Sequence, residues 1–305
     1  MKQYYLTYKP LIKAFSISDA TIKSCDDNME IPLLELAPKD YQRLGCAVPH
    51  PFAPIVGFLM GRDKDDYSAD WNYVRAIAKT GVKLRFLTYK HCELQLQGCN
   101  GLVLPGGAFD SPESYYADAK KTDVDFPSLR SQAYALCIRG ALARQIPILG
   151  ICAGAQMVAG EFGLKLWRNF DNVETPIAHH SYDDQAHRLS ILPDTPLAKI
   201  LPDYDQEYVN SRHRELVVPL RLQRELWAEA NHIAVEDVQL PLDFYAFAND
   251  GVPEAWGSEE LHILCVQFHP EDLAAHDNSA MLGIYQWLAD EIAEQRKGVG
   301  DKTLA

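Results

Sequence analysis

Residues 146–163 read IPILGICAGAQMVAGEFG, and this stretch decides the fold. An apolar run, IPILGI, enters a small-residue turn, Gly150-Ile151-Cys152-Ala153-Gly154, and a helical stretch continues to Gly163. A strand that feeds a helix through G-x-C-x-G is the cysteine counterpart of the G-x-S-x-G elbow, whose glycines permit the strained turn that presents a nucleophile. A cysteine at that helix N-terminus gains thiolate character from the helix dipole and the exposed N–H groups. Taken alone, the turn also fits a buried cysteine at a strand-to-helix junction.

The same alternation extends outward from the elbow. IVGFLM (55–60), VKLRFL (82–87) and GLVLP (101–105) read as buried strands. Trp71, Val74, Ile77 and Ala78 recur at helical spacing before Gly81, and residues 128–145 form a second helix. Apolar strands alternating with helices predict an α/β fold, a parallel sheet with helices on both faces. The second half is more irregular, with strand candidates at 164–167, 188–192, 244–248 and 262–268. A C-terminal amphipathic helix is expected over 277–296, followed by a frayed tail at 299–305.

Composition bounds the function. The 305 residues are 47% apolar, ample for a core without disulfides or metals, and the net charge is −13. That acidity disfavours nucleic acid and anionic membrane surfaces as partners. No window approaches the roughly 18 apolar residues of a membrane span. Seven scattered cysteines without a C-x-x-C pair argue for a reducing, cytoplasmic setting. Residues 1–53 carry six basic and six acidic residues and end in the proline-rich AVPHPFAP, so they read as an extension, packed on or loosely tethered to a main domain at 54–298.

Two further motifs fall at strand ends, where open parallel sheets place ligand crevices. His269-Pro270-Glu271 follows the strand candidate at 262–268. On an extended chain the two side chains would share a side, so the carboxylate could hold the imidazole tautomer and stabilise the imidazolium. A surface turn with an incidental ion pair fits the same residues. Leu104-Pro105-Gly106-Gly107 ends another strand, and paired glycines let backbone N–H groups approach an oxyanion, though a simple tight turn would look alike. Jointly the three motifs supply nucleophile, base with orienter, and oxyanion donors on one sheet edge.

With these residues in view, the chain resembles the class I glutamine amidotransferase-type hydrolases, and within them the gamma-glutamyl-gamma-aminobutyrate hydrolase family, peptidase family C26. GLVLPGGAFDSPESYY, PILGICAGAQ, VNSRHRE (209–215), AFANDGVPEA (246–255) and VQFHPE (266–271) carry the resemblance, which covers residues 54–296. It implies a flavodoxin-like core and a Cys152, His269, Glu271 triad, with the backbone N–H groups of Gly107 and Ala153 as oxyanion donors. Gln156, Asn210, Ser211 and His213 match substrate-binding positions. The implied reaction is hydrolysis of a small gamma-glutamyl amide through a thioester. The family pattern leaves room for a glutaminase subunit serving a separate synthase, for a homo-oligomer, and for a non-catalytic regulatory module on the same fold.

The chain departs from the pattern at Ala153, where a basic residue is usual, and at Arg214-Glu215, where His-Gln is usual. The 36 residues between His213 and Asp250 are roughly twice the usual length, and RLQRELWAEA suggests an extra helix there. Arg212 and Arg214 could counter an anionic substrate. His179, His180 and His187, with Asp183 and Asp184, have metal-ligating side chains, but their spacing fits a polar loop. No metal and no cofactor is expected.

Overall fold

The computed structural model describes residues 21–23, 30–63, 66–107, 111–119, 127–170, 175, 177–181, 183–276 and 278–302. Its centre is a ten-stranded mixed sheet. In chain order the strands are β1 (Leu34–Glu35), β2 (Ile55–Leu59), β3 (Lys83–Leu87), β4 (Gly101–Leu104), β5 (Ile148–Ile151), β6 (His187–Ile191), β7 (Tyr208–Val209), β8 (Asp243–Ala248), β9 (Pro253–Ser258) and β10 (Ile263–Val266). Across the sheet they run β7-β6-β8-β9-β10-β5-β4-β2-β3-β1. The five strands β3-β2-β4-β5-β10 are mutually parallel. This is the flavodoxin-like order, with the chain reversing its direction of build between β2 and β4, where such sheets open a crevice beyond the strand carboxyl ends.

Side chains on the parallel strands alternate between two apolar layers, as a two-sided sheet requires. Ile263 and Cys265 face one layer while Leu264 and Val266 face the other. Trp71–Lys79 (α1) and the C-terminal helix Leu282–Lys302 (α4) cover one face. Leu129–Ala143 (α2) and Ala153–Glu161 (α3) cover the other. The expected α/β class and helix placement therefore hold. The last helix begins at Leu282, preceded by a short 3-10 turn over Ser279–Met281, and continues to Lys302, beyond the expected start of a frayed tail. Residues 303–305 lie outside the described residues.

The antiparallel flank grows from a hairpin that the sequence concealed. β8 and β9 pair antiparallel across a turn in which Gly251 takes φ +83°. PEAWGS begins with proline and carries two small polar or unsubstituted residues, so it lacks a strand signature; pairing on both sides makes it a strand. The helix suggested by RLQRELWAEA spans Leu220–Asn231.

Residues 1–20 and 24–29 of the expected extension lie outside the described residues. Its remainder is built into the main body. β1 pairs antiparallel with β3, and the Tyr41 hydroxyl accepts from the Leu84 N–H at 2.7 Å and donates to the Val82 carbonyl at 3.2 Å. Arg85, itself on β3 and buried, reaches Glu35 at 2.5 Å. The composition boundary at 53/54 falls just before the first parallel strand, but the sheet has begun by Leu34.

Candidate active site

Three loops at the carboxyl ends of β4, β5 and β10 meet at one point. Cys152 stands between β5 and α3 with φ +50° and ψ −113°. A non-glycine residue in such a conformation costs about 1–3 kcal/mol and persists only where neighbours enforce it. Here the Cys152 N–H donates to the Val266 carbonyl at 2.8 Å, and its own carbonyl accepts from the Gln156 N–H at 3.0 Å. Gly154 must be glycine, because a Cβ there would lie 2.1 Å from the Leu104 carbonyl oxygen. The elbow helix thus rests directly on the backbone of β4.

His269 follows β10. Its Nδ1 donates to Glu271 Oε1 at 2.6 Å, which leaves Nε2 as the nitrogen able to serve Cys152. Gly106 packs into the gap: a Cβ on it would come 2.7 Å from His269 Cε1 and 3.2 Å from Cys152 Cβ. Sulfur, imidazole and the Gly106-Gly107 turn are therefore neighbours. Burial alone would lower the His269 pKa, but the charges of Glu271 and Cys152 overcome it and hold it well above the ordinary value. Burial raises the Glu271 pKa, against the lowering influence of His269.

The expected extended backbone through His269-Pro270-Glu271 is corrected. Pro270 opens a short helix, Pro270–Ala275, for which His269 is the N-cap. Proline at the first helical position has its φ preset and lacks only an N–H that would be unbonded there anyway. The His–Glu contact survives because Glu271 turns back from the first helical turn.

Of the backbone N–H groups, that of Ala153 lies at the first position of α3, where helix geometry supplies no intrahelical acceptor. That of Gly106 donates to the Tyr73 hydroxyl at 3.0 Å. Gly107 is exposed, and the Arg130 guanidinium lies against it, so close that a Cβ there would collide with it. Tyr73, on α1, also lies 3.3 Å from His269 Nδ1 and was not foreseen; nor was Tyr285, whose hydroxyl donates to Glu271 Oε2 at 3.4 Å. Both sit at ordinary apolar-face positions of helices, so only the fold brings them here.

The four expected substrate-binding residues are buried. Gln156 donates to the Glu215 carbonyl at 2.7 Å and to Gln267 Oε1 at 3.1 Å. Asn210 clamps His269: its Nδ2 donates to the His269 carbonyl at 2.9 Å, and its Oδ1 accepts the His269 N–H at 2.8 Å. Ser211 Oγ donates to the His179 carbonyl at 2.7 Å. His213 is fully buried, with Nδ1 2.9 Å from the Glu215 carbonyl. Arg212 pairs with Asp272 beside Glu271, while Arg214 is exposed. Glu215 accepts from Tyr116 at 2.5 Å and Ser111 at 2.9 Å, joining this loop to the segment after β4.

The histidine-rich segment is not simply a polar loop. His179 and His187 are buried together with His213 and Glu254, while Asp183 and Asp184 stay outside, Asp184 pairing with His276 at 2.5 Å. His180 bridges to Arg212.

A cysteine elbow on a flavodoxin-like sheet, with a His-Glu pair at the next strand end, defines a class I glutamine amidotransferase-like protein. The structure resembles a protein of Thermoplasma acidophilum described as one of the subunits of GMP synthase, with TM-score 0.53 and 18% identity, over 81% of this chain and 98% of that one. It also resembles the glutaminase domain of Trypanosoma brucei CTPS solved with bound acivicin, at TM-score 0.50 and 17% identity, over 79% of this chain and 94% of that one. Residues 60–271 match the Peptidase C26 family, and the chain belongs to that family. A glutamine amidotransferase-like protein of Lactococcus lactis, YvdE, is 28% identical over 174 residues. That match spans 56% of this chain and 65% of the relative's length. Membership supports a cysteine-type amide hydrolase or glutaminase-like role. Among the described residues, no helix is long and apolar enough to cross a membrane.

Proposed function

We propose that the chain hydrolyses the gamma-glutamyl amide bond of a small gamma-glutamyl compound through a thioester on Cys152. The observation that carries this reading is the 2.6 Å contact between His269 Nδ1 and Glu271, with Cys152 and the His269 ring both packed against Gly106. His269 takes the thiol proton through Nε2 as sulfur attacks the gamma-carbonyl carbon. The N–H groups of Gly107 and Ala153 receive the oxyanion. On collapse, the C–N bond breaks and the imidazolium gives its proton to the leaving amine. Water, deprotonated by His269, then cleaves the thioester and restores the thiol. Glu271 holds the tautomer and balances the imidazolium charge throughout. The Arg130 guanidinium at Gly107 supplies positive charge beside this turn in an otherwise acidic protein, which suits the α-carboxylate of a glutamyl group.

The six described cysteines are all unbridged, which fits a reducing, cytoplasmic setting. Assayed on a panel of gamma-glutamyl amides, the wild-type chain releases amine and Cys152→Ala loses about 10³-fold or more of that rate. Retained activity in the variant would remove Cys152 from the mechanism. A glutaminase subunit feeding ammonia to a synthase is the second reading, favoured by the fold shared with the two solved proteins above. Turnover of free L-glutamine that starts only when a synthase partner is added would select it.

A further inference from the structure

On the antiparallel half of the sheet, four side chains from four segments converge. His179 comes from the loop before β6, His187 from the start of β6, His213 from the loop after β7, and Glu254 from β9. Their side chains are 0%, 1%, 0% and 0% exposed. His179 Nδ1, His187 Nε2 and His213 Nε2 lie 3.5, 3.3 and 3.4 Å from one atom, Glu254 Oε1. All four donor atoms fall within 4.8 Å of one another. Among the described residues, those three nitrogens and both Glu254 oxygens have no hydrogen-bond partner.

Five unpartnered buried polar atoms around one point are costly, because each has lost its water without gaining a partner, and more so where charge is involved. Protons do not resolve the cluster. A charge-assisted N–H···O bond to a carboxylate measures about 2.7–2.9 Å, well inside the separations seen. Against that, bonds of about 2.0–2.1 Å from a central zinc to nitrogen and oxygen give a tetrahedron with edges of ~3.3–3.4 Å. The three separations from Glu254 Oε1 match edges of such a tetrahedron.

The remote ring nitrogens are arranged as metal-bound histidines require. His179 Nε2 meets Asp250 Oδ2 at 2.8 Å, His213 Nδ1 meets the Glu215 carbonyl at 2.9 Å, and His187 Nδ1 meets the Arg188 carbonyl at 3.2 Å. Each of these acceptors fixes its imidazole so that the inward nitrogen carries a lone pair. Phe170 stacks on His179, centroids 4.5 Å apart and planes 10° from parallel, and lies 5.5 Å from His213, which keeps the point dry.

We propose that His179, His187, His213 and Glu254 form a closed, four-coordinate zinc site. Three imidazoles and a carboxylate suit zinc over magnesium or calcium, which prefer all-oxygen shells. With four protein ligands and no open position, the site is structural rather than catalytic. Its position gives it a purpose. His213 lies three residues beyond Asn210, whose amide clamps the His269 backbone, and Ser211 ties to the carbonyl of His179. Zinc there fastens the loop that holds His269, and this holds whatever the substrate of Cys152.

The test uses the full-length chain. Metal analysis after dialysis is expected to find about one zinc per chain, and His213→Ala to hold less than about a tenth of that. Stripping the wild-type chain with a chelator lowers Tm, and adding Zn2+ restores it. Refilling with Co2+ gives the intense visible d–d absorption of a tetrahedral ion. Should His213→Ala fail to fold, zinc-edge X-ray absorption of the wild-type chain decides, with three imidazoles and one oxygen expected. A stripped chain that takes up neither Zn2+ nor Co2+, equal zinc in folded His213→Ala, or a sulfur-containing shell overturns the proposal.

Discussion

Two buried clusters in this chain use the same side chains to opposite ends. In one, His269 and Glu271 stand two residues apart and meet at 2.6 Å, a separation that needs a shared proton. In the other, three histidines approach Glu254 from separate segments and stop at 3.3–3.5 Å, a separation that a proton does not span well and a tetrahedral cation does. The first lies at the carboxyl ends of the parallel strands and leaves one imidazole nitrogen, Nε2, outside the carboxylate contact. The second lies under the antiparallel flank, behind Phe170, with every remote nitrogen already committed. Residue type alone does not separate proton chemistry from metal chemistry; about 0.8 Å and the number of converging nitrogens do.

The proton cluster breaks most severely at Glu271. Glu271→Gln keeps the shape but removes the carboxylate that fixes the tautomer and stabilises the imidazolium, and kcat is expected to fall about 10³–10⁴-fold. The same variant tests the electrostatics. Glu271 is the leading influence raising the His269 pKa against burial, so without it the group loses its proton at lower pH. The acid limb of the kcat/KM profile, along which His269 becomes the neutral base, then moves toward lower pH; an unmoved limb would separate the pH dependence from His269.

Asn210 joins the two clusters, and its loss should act through position alone. Asn210→Ala releases both hydrogen bonds to the His269 backbone, and kcat is expected to drop about 10–100-fold with KM nearly unchanged. Steady-state kinetics across one substrate series distinguishes this from a binding defect, which would raise KM instead. The smallest effect belongs to Tyr285→Phe. Its hydroxyl reaches Glu271 at a long 3.4 Å, so kcat should change only about twofold, within the net worth of a weak hydrogen bond.

How much of this could be read beforehand follows the same division. The elbow was legible because its strand, turn, cysteine and helix are contiguous, so local pattern and tertiary role coincide. The parallel core was legible for the same reason, since each strand is a short run that is apolar apart from Lys83 and Arg85 on β3. His269 and Glu271 meet although their backbone is helical rather than extended, because two residues separate them in either conformation. Glu254 lay inside a motif the chain shares with its family, yet no role attached to it. Its strand carries proline, glycine and serine and exists only through pairing on both sides. His179 and His187 were noticed beside Asp183 and Asp184, their neighbours in sequence. Their actual companions, His213 and Glu254, sit on later segments, and only the sheet register brings them together.

The pairing of Leu34–Glu35 with β3 bears on what the sheet edge presents to other chains. β3 is the last parallel strand, with Leu84 and Phe86 in one apolar layer and Leu87 in the other, so without β1 it would offer a free ladder of N–H and C=O groups. The neutral leading segment thus caps the sheet edge most able to recruit a foreign strand. A chain trimmed at the composition boundary would keep every group around Cys152 and still expose a template for edge-to-edge assembly.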